Sequence, residues 1–164
     1  MRVDDVTMPD GSRAEREVVN HSGGVVILAI LEGKVIMVRQ YRHPAGAELL
    51  ELPAGKLEPR EDPKECAVRE LEEETGYLAS MVTKLGSFYA SPGYSSEMLH
   101  LYLASGLEAT AQRLDDGEHL EVVYVPYEEA LGDCLNGKIQ DAKTALALLI
   151  YKKLYGYSRG RPSV

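Results

Sequence analysis

Four glutamates stand within five consecutive positions of the sequence, in the stretch RELEEE at residues 69–74. If this stretch is helical, successive side chains turn by about 100°, so Glu70, Glu73 and Glu74 project from one arc that borders an apolar arc. Like charges at this spacing destabilise a helix by about 0.2 to 0.5 kcal/mol per pair, and by more where the core excludes water. A divalent cation would reverse that cost, and carboxylate oxygens favour a hard ion such as Mg²⁺, with Mn²⁺ as a substitute.

The residues around the cluster decide between a metal site and an ordinary exposed helix. Ion pairs of Arg69 with Glu65 and Glu73 would explain an exposed helix. The flanking residues, however, complete a longer pattern: Gly, Glu after five residues, then after seven more Arg-Glu-apolar-any-Glu-Glu-any-Gly-apolar. The matching positions are Gly55, Glu61, Arg69, Glu70, Leu71, Glu73, Glu74, Gly76 and Tyr77. A chance match of the fixed residues at a given start has a probability on the order of 10⁻⁸. The chain therefore resembles a Nudix hydrolase.

This resemblance implies a fold and a metal site. The fold class is α/β, a Nudix-type α/β/α sandwich with a mixed sheet and a loop-helix-loop catalytic box. In this family the box binds the metal, so the resemblance assigns Mg²⁺ to three carboxylates and one backbone carbonyl, those of Glu70, Glu73, Glu74 and Ala54. It makes Arg69 an orienting partner of Glu73. Glu61 and Gly76 are then structural, as a charge near the helix start and as the helix C-cap.

Three helices are predicted from capping residues and apolar periodicity. The box helix should have Asp62 as its N-cap, Pro63 in its first turn and Glu65 at the capping-box spacing, and it should end at Gly76. Two more helices are predicted at 127–135 and 141–155. On the last one an apolar face is traced by Ala142, Ala145, Leu146, Leu149 and Ile150.

Short β-strands are predicted around these helices. Segments 24–31 and 34–41 flank Glu32-Gly33 and are typical of a hairpin. Further strands are predicted at 48–52, 82–89, 99–104 and 122–125, with weaker ones at 2–8 and 14–20. The C-terminal segment 156–164 is expected to fray.

Three segments outside the box indicate the substrate class. RQYRHPAG at 39–46, ELPAGKLE at 51–58 and SPGYSSE at 91–97 are similar to the ADP-ribose pyrophosphatase subgroup, whose marker proline would be Pro92. The resemblance implies substrate-binding roles for Arg16, Glu17, Arg42, Lys56, Ser91, Gly93 and Glu97. Arg42 suits a phosphate because a guanidinium group can donate two hydrogen bonds to it. The alternatives are a surface role for Arg42 and a solvated loop position for Glu97.

The implied reaction is hydrolysis of the pyrophosphate bond of ADP-ribose to AMP and ribose 5-phosphate by a metal-activated water. A carboxylate must accept the proton of that water, and the segment LDDGEHLE at 114–121 supplies the candidates. Glu118 matches the base of the subgroup best, and Glu121 is second. Glu73 completes the catalytic set, while Asp115 and Asp116 are also within reach.

Two other functions are compatible with the same box. One is hydrolysis of another nucleotide sugar, such as GDP-mannose. The other is a sensor that binds ADP-ribose without hydrolysing it. The intact glutamates at 70, 73, 74 and 118 argue against the sensor.

The overall composition limits the partners and the location. The chain has 164 residues, the length of a single domain spanning 1–164, and its formal net charge of −8 disfavours nucleic acid as a partner. It has two cysteines without metal-ligand spacing and no apolar run long enough for a bilayer, so we expect a cytoplasmic protein without a membrane partner. The resemblance implies a homodimer in which the N-terminal strands, residues 1–22, are exchanged.

Overall fold

The centre of the structure is a hairpin of two apolar strands, as the sequence predicts. In the computed structural model, which describes residues 1–156, strand β3 spans Gly24–Leu31 and strand β4 spans Lys34–Arg42. Glu32 and Gly33 between them have φ angles of 50° and 79°, the left-handed values that favour a tight two-residue turn. The segment that was expected to fray lies outside the described residues, apart from Gly156.

A mixed sheet of seven strands is built on this hairpin. Strand β8 (Met98–Ala109) pairs with β3 in parallel, and β7 (Tyr77–Tyr89) pairs with β8 in antiparallel orientation. Strands β5 (Ala47–Glu51) and β9 (Leu120–Pro126) both pair antiparallel with β4. The short strand β6 (Ala54–Lys56), which was not predicted, pairs with the start of β3. This sheet confirms the predicted mixed topology.

Helices cover both faces of the sheet because β3 and β4 are apolar on both faces. On one face, Val25 and Ile27 pack with helix α1 (Pro63–Thr75). On the other face, Val26 and Leu28 pack with helices α2 (Tyr127–Leu135) and α3 (Ala142–Tyr155). This arrangement is the expected α/β/α sandwich. None of the helices in residues 1–156 is both long and apolar enough to cross a bilayer.

Helix α1 begins and ends where the sequence predicts. The Asp62 carboxylate accepts hydrogen bonds from the backbone N–H groups of Lys64 and Glu65, at 2.8 and 3.4 Å. Gly76 ends the helix with a φ of 71°, which an L side chain adopts only with strain. Within residues 1–156 the Glu65 side chain makes no return hydrogen bond, so only half of the predicted capping box forms.

The buried face of α3 differs from the predicted one. Leu146 and Ile150 of the predicted face pack against the core, but Ala142 and Leu149 are exposed. Thr144 and Leu148 are buried instead, so the predicted face was only partly right. The apolar side chains of this helix are distributed around its whole circumference, so periodicity does not identify its buried side. The Thr144 hydroxyl accepts a hydrogen bond from the backbone N–H of Leu52 at 2.8 Å, which fixes the side that faces the sheet.

The two weaker strands form a sheet of their own. Strands β1 (Arg2–Thr7) and β2 (Arg13–Val18) pair antiparallel. The chain then meets the rest of the protein at Val19, whose N–H donates to Tyr94 O at 2.7 Å and whose carbonyl accepts from Ser96 N at 3.0 Å. The N-terminal hairpin is thus attached to the loop between β7 and β8.

Candidate active site

Two adjacent clefts lie beside β6, and the residues Ala54, Gly55 and Lys56 line both. The acidic cleft has a volume of about 470 Å³, and its charged lining residues are Lys56, Glu58, Arg69, Glu70, Glu73, Asp115 and Glu118. The mixed-charge cleft has a volume of about 480 Å³, and its ionisable lining residues are His21, Arg42, Lys56, Glu97, Asp141 and Lys143. An anionic ligand in the second cleft would therefore lie directly beside the carboxylates of the first.

Glu74 is the most deeply buried carboxylate of the box, with 3% of its surface exposed. Burial raises the pKa of Glu74 to about 8, and a hydrogen bond from the N–H of Ala54 at 3.0 Å offsets burial only in part. The nearby charges of Glu70 and Glu118 raise this pKa further. At neutral pH the protein alone therefore favours the protonated form, and a cation would favour the carboxylate.

Glu70 lies directly over the backbone of Gly55. A Cβ atom added to Gly55 would stand 1.8 Å from the Glu70 carboxyl carbon, far inside the distance of any non-bonded contact. Burial raises the pKa of Glu70 to about 7, against the opposing effect of Arg69. The glycine of the box thus provides the space in which the Glu70 carboxylate reaches the acidic cleft.

Replacing Gly55 with alanine should lower kcat by about 100-fold, because the new methyl group displaces the Glu70 carboxylate. The fold should survive, since Gly55 has an ordinary strand conformation and the displaced group is the end of a flexible side chain. Steady-state kinetics and circular dichroism measure the two effects. Gly132→Ala is the matched control, because its Cβ would meet nothing within 4 Å. Full activity of Gly55→Ala would contradict the role of this contact.

Arg69 connects the carboxylates of the box. It donates from Nε and Nη2 to Glu61 at 2.8 and 3.1 Å, and its Nη1 lies 2.8 Å from Glu73 and 2.9 Å from Glu70. The hydrogen bonds from Arg69 lower the pKa of Glu61 to about 2. The structure thus shows the expected contact with Glu73. It also assigns Glu61 a more specific task than a charge near the helix start, which is to anchor Arg69.

The box residues fit a divalent cation in their chemistry. Among residues 1–156, no three acidic, histidine or cysteine side chains converge closely enough to hold a metal ion in this arrangement, in which Arg69 takes oxygens of Glu70 and Glu73. All the candidate donors are oxygens, and two of the carboxylates have raised pKa values that a cation would relieve. The Glu70 carboxylate occupies the space that a side chain at Gly55 would fill. Glu70, Glu73 and Glu74, with the carbonyl of Ala54, are the residues that could hold a metal here.

The loop after β8 brings another carboxylate to the box. It is fastened to the end of α1 by two hydrogen bonds, from Arg113 N to Glu73 O at 2.9 Å and from the Gln112 side chain to Glu74 O at 2.7 Å. Beyond these bonds, Glu118 lines the acidic cleft and is close enough to raise the pKa of Glu70 and Glu74.

The structure distinguishes between the two candidate bases, Glu118 and Glu121. Glu118 and Asp115 line the acidic cleft. Glu121 lies on β9 opposite Arg39, whose Nη1 is 3.8 Å from its carboxylate, and it lines neither cleft. This geometry favours Glu118 as the residue that reaches a water molecule beside the box.

The predicted substrate-binding residues divide into two groups. Arg42, Lys56, Ser91 and Glu97 all line the mixed-charge cleft. Arg16, Glu17 and Gly93 do not line it, and the first two lie on the N-terminal hairpin. The structure therefore brings together four of the seven residues within one chain.

Sequence reasoning missed several polar residues of the mixed-charge cleft and its wall. Glu51 lies behind Arg42, with Asp141 and Lys143 at the start of α3 and His21 beside Glu97. Glu51 belongs to the segment ELPAGKLE, so a signal was present there. Nothing in the local sequence connects Lys143 with Glu51, because 92 positions separate them.

Comparison with known proteins finds a matching family model and several relatives of this chain. A family model described as NUDIX domain matches residues 20–148. A protein of Bacillus subtilis (strain 168) named ADP-ribose pyrophosphatase is 46% identical over 149 residues, which are 89% of this chain and 80% of the relative. A protein of Bacillus methanolicus named methanol dehydrogenase activator is 44% identical over 151 residues, covering 90% of this chain and 82% of the relative.

One solved structure agrees with this chain over nearly its whole length. It is described as the crystal structure of an ADP compounds hydrolase, and the TM-score is 0.82 at 28% sequence identity. The match covers 95% of this chain and 86% of the other. The fold is thus shared with a known enzyme structure.

Proposed function

The chain belongs to the NUDIX family, and we propose that it hydrolyses the pyrophosphate bond of ADP-ribose to AMP and ribose 5-phosphate. The observation that carries the proposal is the common wall of the two clefts, formed by Ala54–Lys56. A pyrophosphate group held in the mixed-charge cleft has its phosphorus atoms beside the box carboxylates. The similarity to an ADP-ribose pyrophosphatase, at 46% identity, supports this choice among nucleotide sugars.

Hydrolases of this family need divalent metal ions, and we propose Mg²⁺, with Mn²⁺ as a substitute. The ligands are the carboxylates of Glu70, Glu73 and Glu74 and the carbonyl of Ala54. When bound, the metal lowers the pKa of a coordinated water and neutralises charge on the leaving phosphate. Arg69 keeps the Glu73 carboxylate oriented through the 2.8 Å contact.

Beyond the metal ligands, the protein supplies a proton acceptor and the groups that hold the substrate. Glu118 accepts the proton of the attacking water, since it lines the acidic cleft beside Glu70 and Glu73. Arg42 donates hydrogen bonds to the phosphate, and Lys56 adds a positive charge at the boundary of the two clefts. Ser91 and Glu97 face the rest of the substrate.

A substrate panel tests the proposal. Purified protein with Mg²⁺ is given ADP-ribose, ADP-glucose, GDP-mannose and NADH, and the products are separated by chromatography. ADP-ribose should have the highest kcat/KM of the four and should yield AMP and ribose 5-phosphate. Higher turnover of GDP-mannose would favour the other nucleotide-sugar function. Saturable calorimetric heat with ADP-ribose and no product would favour a sensor.

We further propose a homodimer in which residues 1–22 are exchanged between subunits. The N-terminal hairpin forms its own sheet, and Arg16 and Glu17 on it reach neither cleft of their own chain. Exchange would explain how these two residues contact a substrate. Sedimentation equilibrium should then give about twice the 18.1 kDa mass of one chain.

We also propose a cytoplasmic location. Cys66 is buried and Cys134 is half-buried, and both are free thiols. Free thiols are stable in a reducing compartment, which supports this location.

A further inference from the structure

Arg42 is held by a single carboxylate on the wall of the mixed-charge cleft. Its Nε and Nη2 atoms donate to the two oxygens of Glu51 at 2.9 and 2.8 Å, and this paired geometry fixes the plane of the guanidinium group. A guanidinium group has five N–H donors, so three are left without a partner among residues 1–156. The Arg42 side chain is 40% exposed and lines the cleft, whereas that of Glu51 is 1% exposed, so a ligand in the cleft can reach Arg42 but not Glu51.

Glu51 remains ionised in this buried position because two cations flank it. Lys143 Nζ donates to Glu51 and, at 2.9 Å, to Asp141. Burial acts to raise the pKa of Glu51, but the hydrogen bonds from Arg42 and the charge of Lys143 outweigh burial and keep the pKa below its ordinary value. Asp141 is the N-cap of α3, and its carboxylate accepts a hydrogen bond from Thr144 N at 3.0 Å. The ion pairs of Glu51 and Lys143 are thus attached to the start of this helix.

The formal charges of this cluster cancel. Arg42 and Lys143 contribute two positive charges, and Glu51 and Asp141 contribute two negative ones. A phosphate in the cleft therefore gains little from the net charge of the cluster. It gains from the direction of the free N–H groups of Arg42, which Glu51 sets.

We propose that Glu51 is a positioning residue, which fixes the plane in which Arg42 presents its free N–H groups to a phosphate of the substrate. Lys143 allows Glu51 to do so as a buried carboxylate. The inference rests on the proposed function, since the phosphate is that of a nucleotide sugar. Glu51 acts through Arg42 and does not reach the reacting atoms. Its replacement should therefore change the affinity for the substrate.

Replacement of Glu51 with aspartate tests the positioning with the charge retained. The shorter side chain withdraws the carboxylate by about 1.5 Å, the length of one C–C bond, and Arg42 follows it or loses the pair. KM for ADP-ribose should rise about tenfold, which corresponds to about 1.4 kcal/mol, with kcat within about threefold of wild type. An unchanged KM in this folded variant overturns the proposal.

Replacement of Glu51 with glutamine distinguishes position from charge. The change removes a negative charge beside Arg42. If Arg42 acted on the phosphate only through its charge, the variant would therefore have a lower KM than wild type. Positioning predicts a higher KM, because the amide NH₂ group now faces donors of Arg42 or Lys143. A purely structural Glu51 would reduce the active fraction, which lowers apparent kcat and leaves KM unchanged. A lower or an unchanged KM overturns the proposal.

A double-mutant cycle ties the effect to Arg42. Arg42→Ala should raise KM, and adding Glu51→Asp to it should raise KM no further, since the group to be positioned is gone. Additive increases in KM would contradict the coupling. Glu48→Gln is the matched control, because Glu48 is an exposed carboxylate on the same strand, and its KM should equal that of wild type.

Binding of ADP-ribose in EDTA, measured by calorimetry, separates this inference from the proposed function. If wild type binds but hydrolyses nothing when Mg²⁺ is restored, the hydrolytic function fails. A tenfold weaker Kd in Glu51→Asp then still supports positioning. Equal Kd values in wild type and Glu51→Asp overturn positioning, whether or not the protein hydrolyses ADP-ribose. Wild type that neither binds nor hydrolyses ADP-ribose overturns both.

Discussion

Glu74→Gln should lower kcat by about 10³-fold or more while the protein stays folded. Glutamine removes one charged oxygen ligand from the proposed metal site, but it can still accept the hydrogen bond from Ala54 N. Steady-state kinetics across a range of Mg²⁺ concentrations measure the loss. Mn²⁺ binding, followed by electron paramagnetic resonance, gives a readout that does not depend on turnover. Glu72→Gln is the matched control, since Glu72 lies on the same helix and pairs with Arg113 outside the box pattern.

The same variant should be more stable than wild type in EDTA at pH 8. Glu74 has a folded pKa of about 8 against an ordinary value of 4.5. Between these two pH values, the folded state therefore holds a proton on Glu74 that the unfolded state has released. The stability that this proton confers is complete below pH 4.5 and is lost as the pH rises through about 8. Wild type should therefore lose thermal stability between pH 5 and pH 8.5. Glu74→Gln should lose less, with a Tm about 3 °C or more above wild type at pH 8.

Two results would contradict the assignment of Glu74. Turnover close to that of wild type would remove it from the metal site. An equal pH dependence of Tm in both proteins would show that burial of this carboxylate is not costly.

Glu118→Gln should reduce kcat by about 10² to 10⁴-fold and leave KM for ADP-ribose and the affinity for Mg²⁺ near their wild-type values. Glutamine keeps the shape of the side chain but cannot accept a proton. Rapid-quench kinetics with saturating ADP-ribose would separate the chemical step from product release.

Asp116→Asn is the comparator for Glu118, because it changes a carboxylate of the same loop that does not line the acidic cleft. If Glu118→Gln instead lost Mg²⁺ affinity in proportion to its rate, Glu118 would be a ligand. A larger loss in Asp115→Asn or Glu121→Gln than in Glu118→Gln would transfer the role of base to that residue.

The box helix was predictable because its signals are local. Asp62, Pro63 and Gly76 set its ends through hydrogen bonds and backbone angles that depend on near neighbours. The box pattern adds the identity of the carboxylates. Sequence alone was therefore sufficient for the element that carries most of the proposed chemistry.

The long strands β7 and β8 were only partly predictable because they extend each other. Strand β7 was predicted to begin at residue 82 and begins at Tyr77, and β8 was predicted to end at residue 104 and ends at Ala109. The added segments pair with one another, Tyr77 with Ala109 and Leu78 with Glu108. Neither segment has a strong apolar alternation, so each is a strand because the other is present.

The site contacts that sequence could not supply are those between distant positions. The pattern places Gly55 fifteen residues before Glu70, but only the structure shows that the glycine makes room for that carboxylate. The link from Arg42 through Glu51 to Lys143 joins β4, β5 and α3. Such contacts depend on how the layers pack, which local periodicity does not encode.

The fastening of the loop to the end of α1 limits how the proposed base can move. The bonds from Gln112 and Arg113 end at the helix, and β9 begins at Leu120, so six residues, 114–119, connect the two fixed points. Glu118 therefore lies on a short segment whose first anchor is the helix that carries Glu70, Glu73 and Glu74. Lengthening or shortening this segment should therefore change kcat through the position of Glu118, while the helix that carries the other carboxylates keeps its place.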